Sequence, residues 1–429
     1  MQHTLISRYR LPALLSLAVG VAGLAFAQQP ALDLSGALER ARERSPAIAD
    51  SRAELAIAAA EFRRARRWAN PELAVETENV LGSGPFSDFD AAETTVALSQ
   101  QIPLGAQRSK GRTAAGIALE LAQLQLLQAG AQTERDVTIA YAEAVMAERL
   151  AALERQRASA ATAVLDAVVR RHAAGLESDL QLSRGQVEAI RAQNEARRAQ
   201  LEVASRHQAL ARSWGDSELT EALDGGWFER LSEHAETDTT PTAVRLRAAQ
   251  LAASAAAAQL QAERAARLPM LTATLGARRF EGEPADANRA LMLGFSVPLP
   301  LWDRNQVGIA RASAEAQRRQ READQMAPTL AAETTAAQAK LRMALAEARV
   351  LEAEAMPAAA RAQLLAEQGY EAGRLSLLER IAIESDAYQT AEALERARLA
   401  AHLAGAELTL LAAGLSLPAS DRNAPRARN

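Results

Sequence analysis

Two halves of the chain overlay at a nearly constant spacing, and this duplication restricts the fold more than any other feature. Asn70-Pro71 corresponds to Leu268-Pro269, Pro103 to Pro300, Gly175 to Gly373 and Gly215 to Gly414. The offsets are 198, 197, 198 and 199 residues, so one supersecondary unit must be built twice. The spacing predicts a first repeat over 28–215 and a second over 243–415. Between them 216–242 is polar, carries Gly225-Gly226 and reads as a connector; 416–429 reads as a flexible tail.

Within each half the hydrophobic period changes twice. Ala47 to Ala69 and Ala243 to Leu268 are Ala-rich and helical, and each stops at a proline, which bars the preceding residue from helical geometry. Thr/Val-enriched segments with partial alternation follow, predicting strands near 72–80 and 94–102, then near 270–280 and 290–297. The links, Gly82 to Asp90 and Glu281 to Asn288, have hairpin-loop composition. Strands of about ten residues suit a tilted crossing of a hydrocarbon layer.

The helical pattern then resumes for an unusual distance. Arg108 to His172 contains 65 residues and no proline, which is roughly 100 Å at 1.5 Å per residue. Such a helix persists only against neighbours along its length. The second half repeats the pattern from Val307 to Ala372, where Pro328 and Pro357 should bend or interrupt it. Gly175 and Gly373 sit where each long helix must turn, in the left-handed position that glycine tolerates. Ser376 with Glu379 reads as a capping box that restarts an antiparallel helix, and Ser178 with Gln181 as its counterpart. Each half is therefore a strand hairpin joined to a long helical hairpin.

Composition limits the chemistry. Lys plus Arg number 49 against 53 Asp plus Glu, a net of −4, without the basic excess of a nucleic-acid binder. Cysteine is absent, which removes disulfides, thiol chemistry and N-terminal lipidation on cysteine. His172, His207, His234 and His402 are the histidines after the leader and none forms a ligand-spaced pair, so neither a resident metal nor a cofactor is expected. Gly105 to Lys110 lacks the phosphate-loop arrangement, and no hydrolase triad pattern is present. No enzyme is indicated. Arg8 and Arg10 before the apolar run Leu11 to Phe26, with Ala25-Phe26-Ala27 at its end, read as a signal peptide over 1–27.

If the strands lie in a membrane they cannot act alone. Lipid tolerates only closed barrels, which take at least eight strands, so several chains must pool four each. Three chains give twelve and four give sixteen, and the sequence physics does not choose. Phe86, Phe89, Phe280, Phe295 and Trp302 would form a sparse aromatic belt. Pro103 and Gly105 in the first half, and Pro300, Asp303 and Asn305 in the second, read as strand-to-helix transitions. There proline ends the strand and Asp303 or Asn305 caps the next helix. The cluster Arg63, Arg64, Arg66, Arg67 reads as a solvated or interface-facing patch, with attraction to anionic headgroups as the alternative.

Three runs carry a resemblance: QIPLGAQRSKGRTAAG at 101–116, SVPLPLWDRNQ at 296–306 and GYEAGRLSLLE at 369–379. With the duplication, they make the chain similar to the TolC-like outer membrane efflux proteins, nearest the heavy-metal resistance branch. The resemblance implies a mostly α, mixed α/β membrane protein. A homotrimer would share a twelve-stranded barrel in outer-membrane lipid and extend a long helical barrel into the periplasm. A periplasmic adaptor and an inner-membrane RND pump would be its partners. It also implies that Gly175 and Gly373 are tip turns, that Arg171, Tyr370, Arg374, Leu375 and Ser376 serve adaptor docking or gating, and that Glu379 lies at a constriction. Glu379 is read either as a cap alone or as a cap that is also part of an acidic ring. Two positions depart from the family pattern, Ala382 where well-known members are acidic and Val307 where metal-branch relatives tend to have glycine. The function implied is passive conduction of substrate, heavy-metal cations first and drugs or organic solutes as the alternative. A periplasmic adaptor would need compact β-rich domains, and a coiled-coil scaffold would leave the Pro-bounded strands without a purpose.

Overall fold

The computed structural model describes residues 31–80, 83–86, 91–231, 244–281 and 289–412. The expected leader, most of both hairpin loops, the end of the connector and the tail lie outside the described residues.

Each half begins with helix: α1 (Leu34–Arg44) and α2 (Pro46–Arg66) in the first, α6 (Val244–Ala265) in the second. A β-hairpin follows in each, β1 (Glu72–Glu78) with β2 (Glu93–Pro103), and β3 (Met270–Phe280) with β4 (Arg289–Ser296). β1 stops short of residue 80 because Asn79 turns to a φ of +60°, which no ladder residue adopts. The two hairpins join through β2 and β3 into one antiparallel sheet of order β1-β2-β3-β4. β1 and β4 are its edges.

Beyond the sheet, α3 (Gln107–Ala173) turns into α4 (Asp179–Arg212), and α7 (Gln306–Val350) continues through α8 (Met356–Glu371) before turning into α9 (Leu377–Ala412). Pro328, expected to bend or interrupt the second long helix, lies inside an unbroken α7. Pro357 does leave a mark: Leu351–Ala355 winds as a π-helix directly before it. The wider turn rehouses the carbonyl that proline cannot pair with. α5 (Gly226–Glu229) is a single turn within the connector.

The core is not one mass but a string of clusters along the helices. The largest gathers Val137, Tyr141, Trp214 and Phe228 where the connector crosses α3. Tyr141 Oη lies 2.8 Å from the carbonyls of both Leu32 and Asp224, pinning the start of the chain to the connector. A second cluster packs Leu330 and Leu341 of α7 on Leu408 and Leu411 of α9. A third, of Val164, Val168, Tyr370 and Leu377, joins the two helical hairpins near their turns. Alanines fill many of the remaining contacts, since only small residues allow long helices to approach along their whole length.

Candidate functional site

In an antiparallel sheet, residues directly opposite share a face. The register sets Leu73 opposite Leu98, Val75 opposite Val96, Leu98 opposite Leu275, and Leu275 opposite Leu293. Leu291 and Phe295 lie on the same side, opposite Ala277 and Ala273. The middle of this face is apolar and uncovered, with Leu291 87% and Phe295 67% exposed, and Arg279 opposite Arg289 bounds it at the hairpin end. The other face carries Glu76, Glu78, Glu93, Thr95, Ser99, Thr274 and Arg278. There Arg278 donates to Glu93 Oε2 at 2.7 Å and to Thr95 Oγ1 at 2.9 Å, and lies 3.4 Å from Glu78. Ser99 and Thr274 share a hydrogen bond of 2.9 Å. An apolar face against a hydrogen-bonded polar face, at period two, is the pattern of a sheet between lipid and water.

The expected transition residues lie where each second strand gives way to a helix, Pro103 and Gly105 between β2 and α3, Pro300, Asp303 and Asn305 between β4 and α7. Pro103 is the last residue of β2, where its missing N–H interrupts no ladder. Gly105 follows with a φ of +63°, and a Cβ there would lie 2.5 Å from Leu268 Cδ1. In the second half β4 ends at Ser296, four residues before Pro300, so the proline lies in the link rather than at the strand's last position. Neither Asp303 nor Asn305 caps α7 with its side chain. Asp303 Oδ1 accepts from the Asn305 N–H at 2.8 Å, which holds Asn305 at a φ of +61°. Asn305 is the N-cap residue of α7, with its Oδ1 lying against Gly308 of the first turn without a cap hydrogen bond, and its Nδ2 donates to the carbonyl and carboxylate of Glu263 at the end of α6. The junction is a latch between helices, in which one amide NH2 bridges a backbone carbonyl and a charged carboxylate, the stronger acceptor of the two.

At the far end both tips close by the same hydrogen bonds. Leu176 N–H donates to Arg171 O and Gly175 N–H to His172 O, each at 2.9 Å. Arg374 N–H donates to Gly369 O at 2.8 Å and Gly373 N–H to Tyr370 O at 3.0 Å. These are paired Schellman closures, with Gly175 at a φ of +72° and Gly373 at +69°. Gly369 has a separate reason to lack a side chain, since a Cβ there would lie 2.8 Å from Leu375.

The helices after the turns restart by capping. Ser178 Oγ accepts from Gln181 N–H at 3.4 Å. Glu379 and Ser376 form the reciprocal box: Ser376 N–H donates to Glu379 Oε2 at 2.8 Å, and Glu379 N–H to Ser376 Oγ at 3.3 Å. The Ser376 backbone N–H, reinforced by its hydroxyl, holds the Glu379 carboxyl below the usual carboxylate range.

Among the residues expected at the tip, Arg171 and Tyr370 come together across the two hairpins, and Arg374 and Leu375 stay in their own turn. What sequence reading misses is the group between them. Glu177 accepts from Arg171 Nε at 3.1 Å and from Tyr370 Oη at 3.3 Å, while the Arg171 and Arg380 guanidiniums each lie 5.2 Å from the Tyr370 ring centre. Arg380 is in turn held by Glu384 at 2.9 Å. Burial, then the nearby Glu177 charge, raises the Tyr370 phenol above its ordinary value. Glu177 and Tyr370 are 193 residues apart in sequence, so no local spacing signals their pairing.

Against known proteins, the model of the family described as outer membrane efflux protein matches residues 37–216 and 243–414. The chain belongs to the outer membrane efflux protein family. The two matched segments fall one in each half of the chain. The cobalt-zinc-cadmium resistance protein CzcC of Cupriavidus metallidurans is 28% identical over 321 residues, covering 74% of this chain and 74% of that one. The outer membrane protein VceC of Vibrio cholerae has the same fold, with a TM-score of 0.71 at 20% identity over 89% of this chain and 96% of that one. CusC, solved in a study of transmembrane channel formation, superposes with a TM-score of 0.72 at 16% identity over 95% and 99%. These likenesses give the chain the TolC-like fold, and the family match makes it an outer membrane efflux protein.

Proposed function

We propose that three copies of this chain pool their sheets into one twelve-stranded barrel and pass heavy-metal cations outward as the exit duct of an RND-type tripartite efflux system. The observation that carries this reading is the sheet itself: four strands, an apolar face, a polar face and two open edges. Edges of this kind are not tolerated in hydrocarbon, and β4 of one chain with β1 of the next would close them. The polar face then lines the water path. The long helices extend from the sheet into the periplasm, and their tips meet a periplasmic adaptor and the inner-membrane pump through Arg171, Tyr370, Arg374, Leu375 and Ser376. Leu176 and Leu180, 67% and 58% exposed beside the first turn, add apolar surface there. Glu379 joins its symmetry mates in an acidic constriction while capping α9, so it attracts cations. Metal cations are favoured over organic solutes by the likeness to CzcC, whose name states cobalt, zinc and cadmium resistance.

The test is expression of the full chain with its neighbouring pump and adaptor genes in a metal-sensitive host. Restored tolerance to cobalt, zinc or cadmium that is lost without this chain is the expected result. Restored tolerance to organic solutes alone would replace the metal reading with the alternative one.

A further inference from the structure

The four junctions between helices and sheet lie at one level of the molecule, tied together by side chains. Arg108 at the start of α3 donates to Arg66 O at the end of α2 at 2.7 Å. Gln107 donates to Leu268 O just before β3, and Asn305 donates to Glu263 O at the end of α6. Segments 61–69, 104–112, 261–269 and 298–311 make up this level, and they contain eleven Lys and Arg against three Asp and Glu. The whole chain is net −4, so the excess is concentrated here. Arg63, Arg67, Lys110, Arg264, Arg267 and Arg311 are all exposed. Among the described residues, only Arg64 of the eleven has an ion-pair partner, Glu61. Symmetry does not neutralise them, because each neighbouring copy presents the same balance at the same level.

Two exposed tryptophans mark the level as a membrane boundary. Trp302 is 86% exposed and Trp68 56%, with the Arg108 guanidinium 4.1 Å from the Trp68 ring centre. Directly above lies the uncovered apolar face of the sheet. Tryptophan at the edge of an apolar band, with basic residues just outside it, is the arrangement that seats a protein at the headgroup layer.

We infer that this basic belt binds the headgroups of anionic phospholipids, phosphatidylglycerol or its dimeric relatives, in the leaflet on the helical side of the barrel. The belt fixes the depth of the barrel: arginines hold lipid phosphates while the tryptophans rest at the acyl boundary. The inference rests on the sheet lying in a membrane, as proposed above.

The test uses the purified full-length oligomer reconstituted into phosphatidylcholine vesicles that contain brominated phosphatidylglycerol or brominated phosphatidylcholine at equal fraction. Bromine quenches nearby indoles. Trp68 and Trp302 are the ones it can reach, Trp214 being buried in the core and Trp227 packed on His402. Brominated phosphatidylglycerol is expected to quench several-fold more effectively. Each engaged cation should contribute on the order of fivefold in local partition, with the preference falling as salt is raised. The combined variant Arg63→Gln, Arg67→Gln, Arg264→Gln, Arg267→Gln should lose the preference, and lysine at the same four positions should keep it. Equal quenching by the two lipids, or a preference insensitive to salt in the unaltered protein, overturns the inference whether or not the variant folds. Soluble glycerol phosphate that abolishes the preference at vesicle-equivalent concentration overturns it in favour of a free-anion site. No quenching by either lipid overturns the membrane placement itself.

Discussion

At the residue scale, Gly105 and Glu379 show two ways in which a single position governs the shape of the chain. The Leu268 methyl that a Gly105 side chain would strike is the free end of a flexible side chain and can move aside. The backbone φ of +63° cannot be relieved in that way, so the conformational term decides. Gly105→Ala should destabilise the folded chain by about 1–2 kcal/mol, read as a lowered thermal midpoint of the extracted protein. Hydrogen bonds from the Ser376 N–H and hydroxyl hold the folded pKa of Glu379 below its unfolded value. Its contribution is therefore complete above about pH 4.3, the unfolded value, and disappears as the pH falls through the lower folded value. Glu379→Gln should melt below the unaltered protein at neutral pH, and the gap should close in acid. A gap of constant size would remove the carboxylate from the cap. If Glu379 also rings a constriction, Glu379→Ala raises single-channel conductance or weakens block by multivalent cations in a planar bilayer, and unchanged values of both would leave it a cap alone.

At the scale of elements, the tips and the sheet differ in how much the sequence discloses. Gly175, Gly373, Ser178 and the Ser376–Glu379 box are legible because capping and left-handed turns are local rules, satisfied within a few residues. The strands are legible in place but not in end, since Asn79 ends β1 by one backbone angle that composition does not signal. Asn305 stands at the N-cap position, but the partner of its amide, Glu263, lies 42 residues away, where local spacing gives no signal. At the tip the sequence names Arg171 and Tyr370 but not the network that joins them, because Arg171 and Glu177 belong to one hairpin and Tyr370 and Arg380 to the other. Removing Glu177 frees both of its donors at once. Each bond is worth about 1 kcal/mol, so Glu177→Ala should loosen the link between hairpins by a similar amount. The expected readout is faster proteolytic nicking at the tip and more frequent channel opening in bilayers. Slower nicking or unchanged opening would show that the network does not restrain the tip.

At the scale of the whole molecule, an apolar sheet face and two unpaired edges have no use in a single chain. The duplication accounts for both: each half supplies one strand hairpin and one helical hairpin, and the sheet forms only where the halves meet, at β2 and β3. Three chains would repeat that meeting at every β4–β1 boundary. Because the natural chain lacks cysteine, introduced thiols report on this boundary without background. The deciding measurement is oxidative cross-linking of Val75→Cys on β1 paired in turn with Leu291→Cys, Leu293→Cys or Phe295→Cys on β4, followed by denaturing electrophoresis. The expected result is that at least one pair gives dimers and covalent trimers with nothing larger, since only adjacent strands bring Cβ atoms within disulfide reach. Monomers alone from all three pairs, or a ladder extending past the trimer, would contradict a barrel closed by three chains.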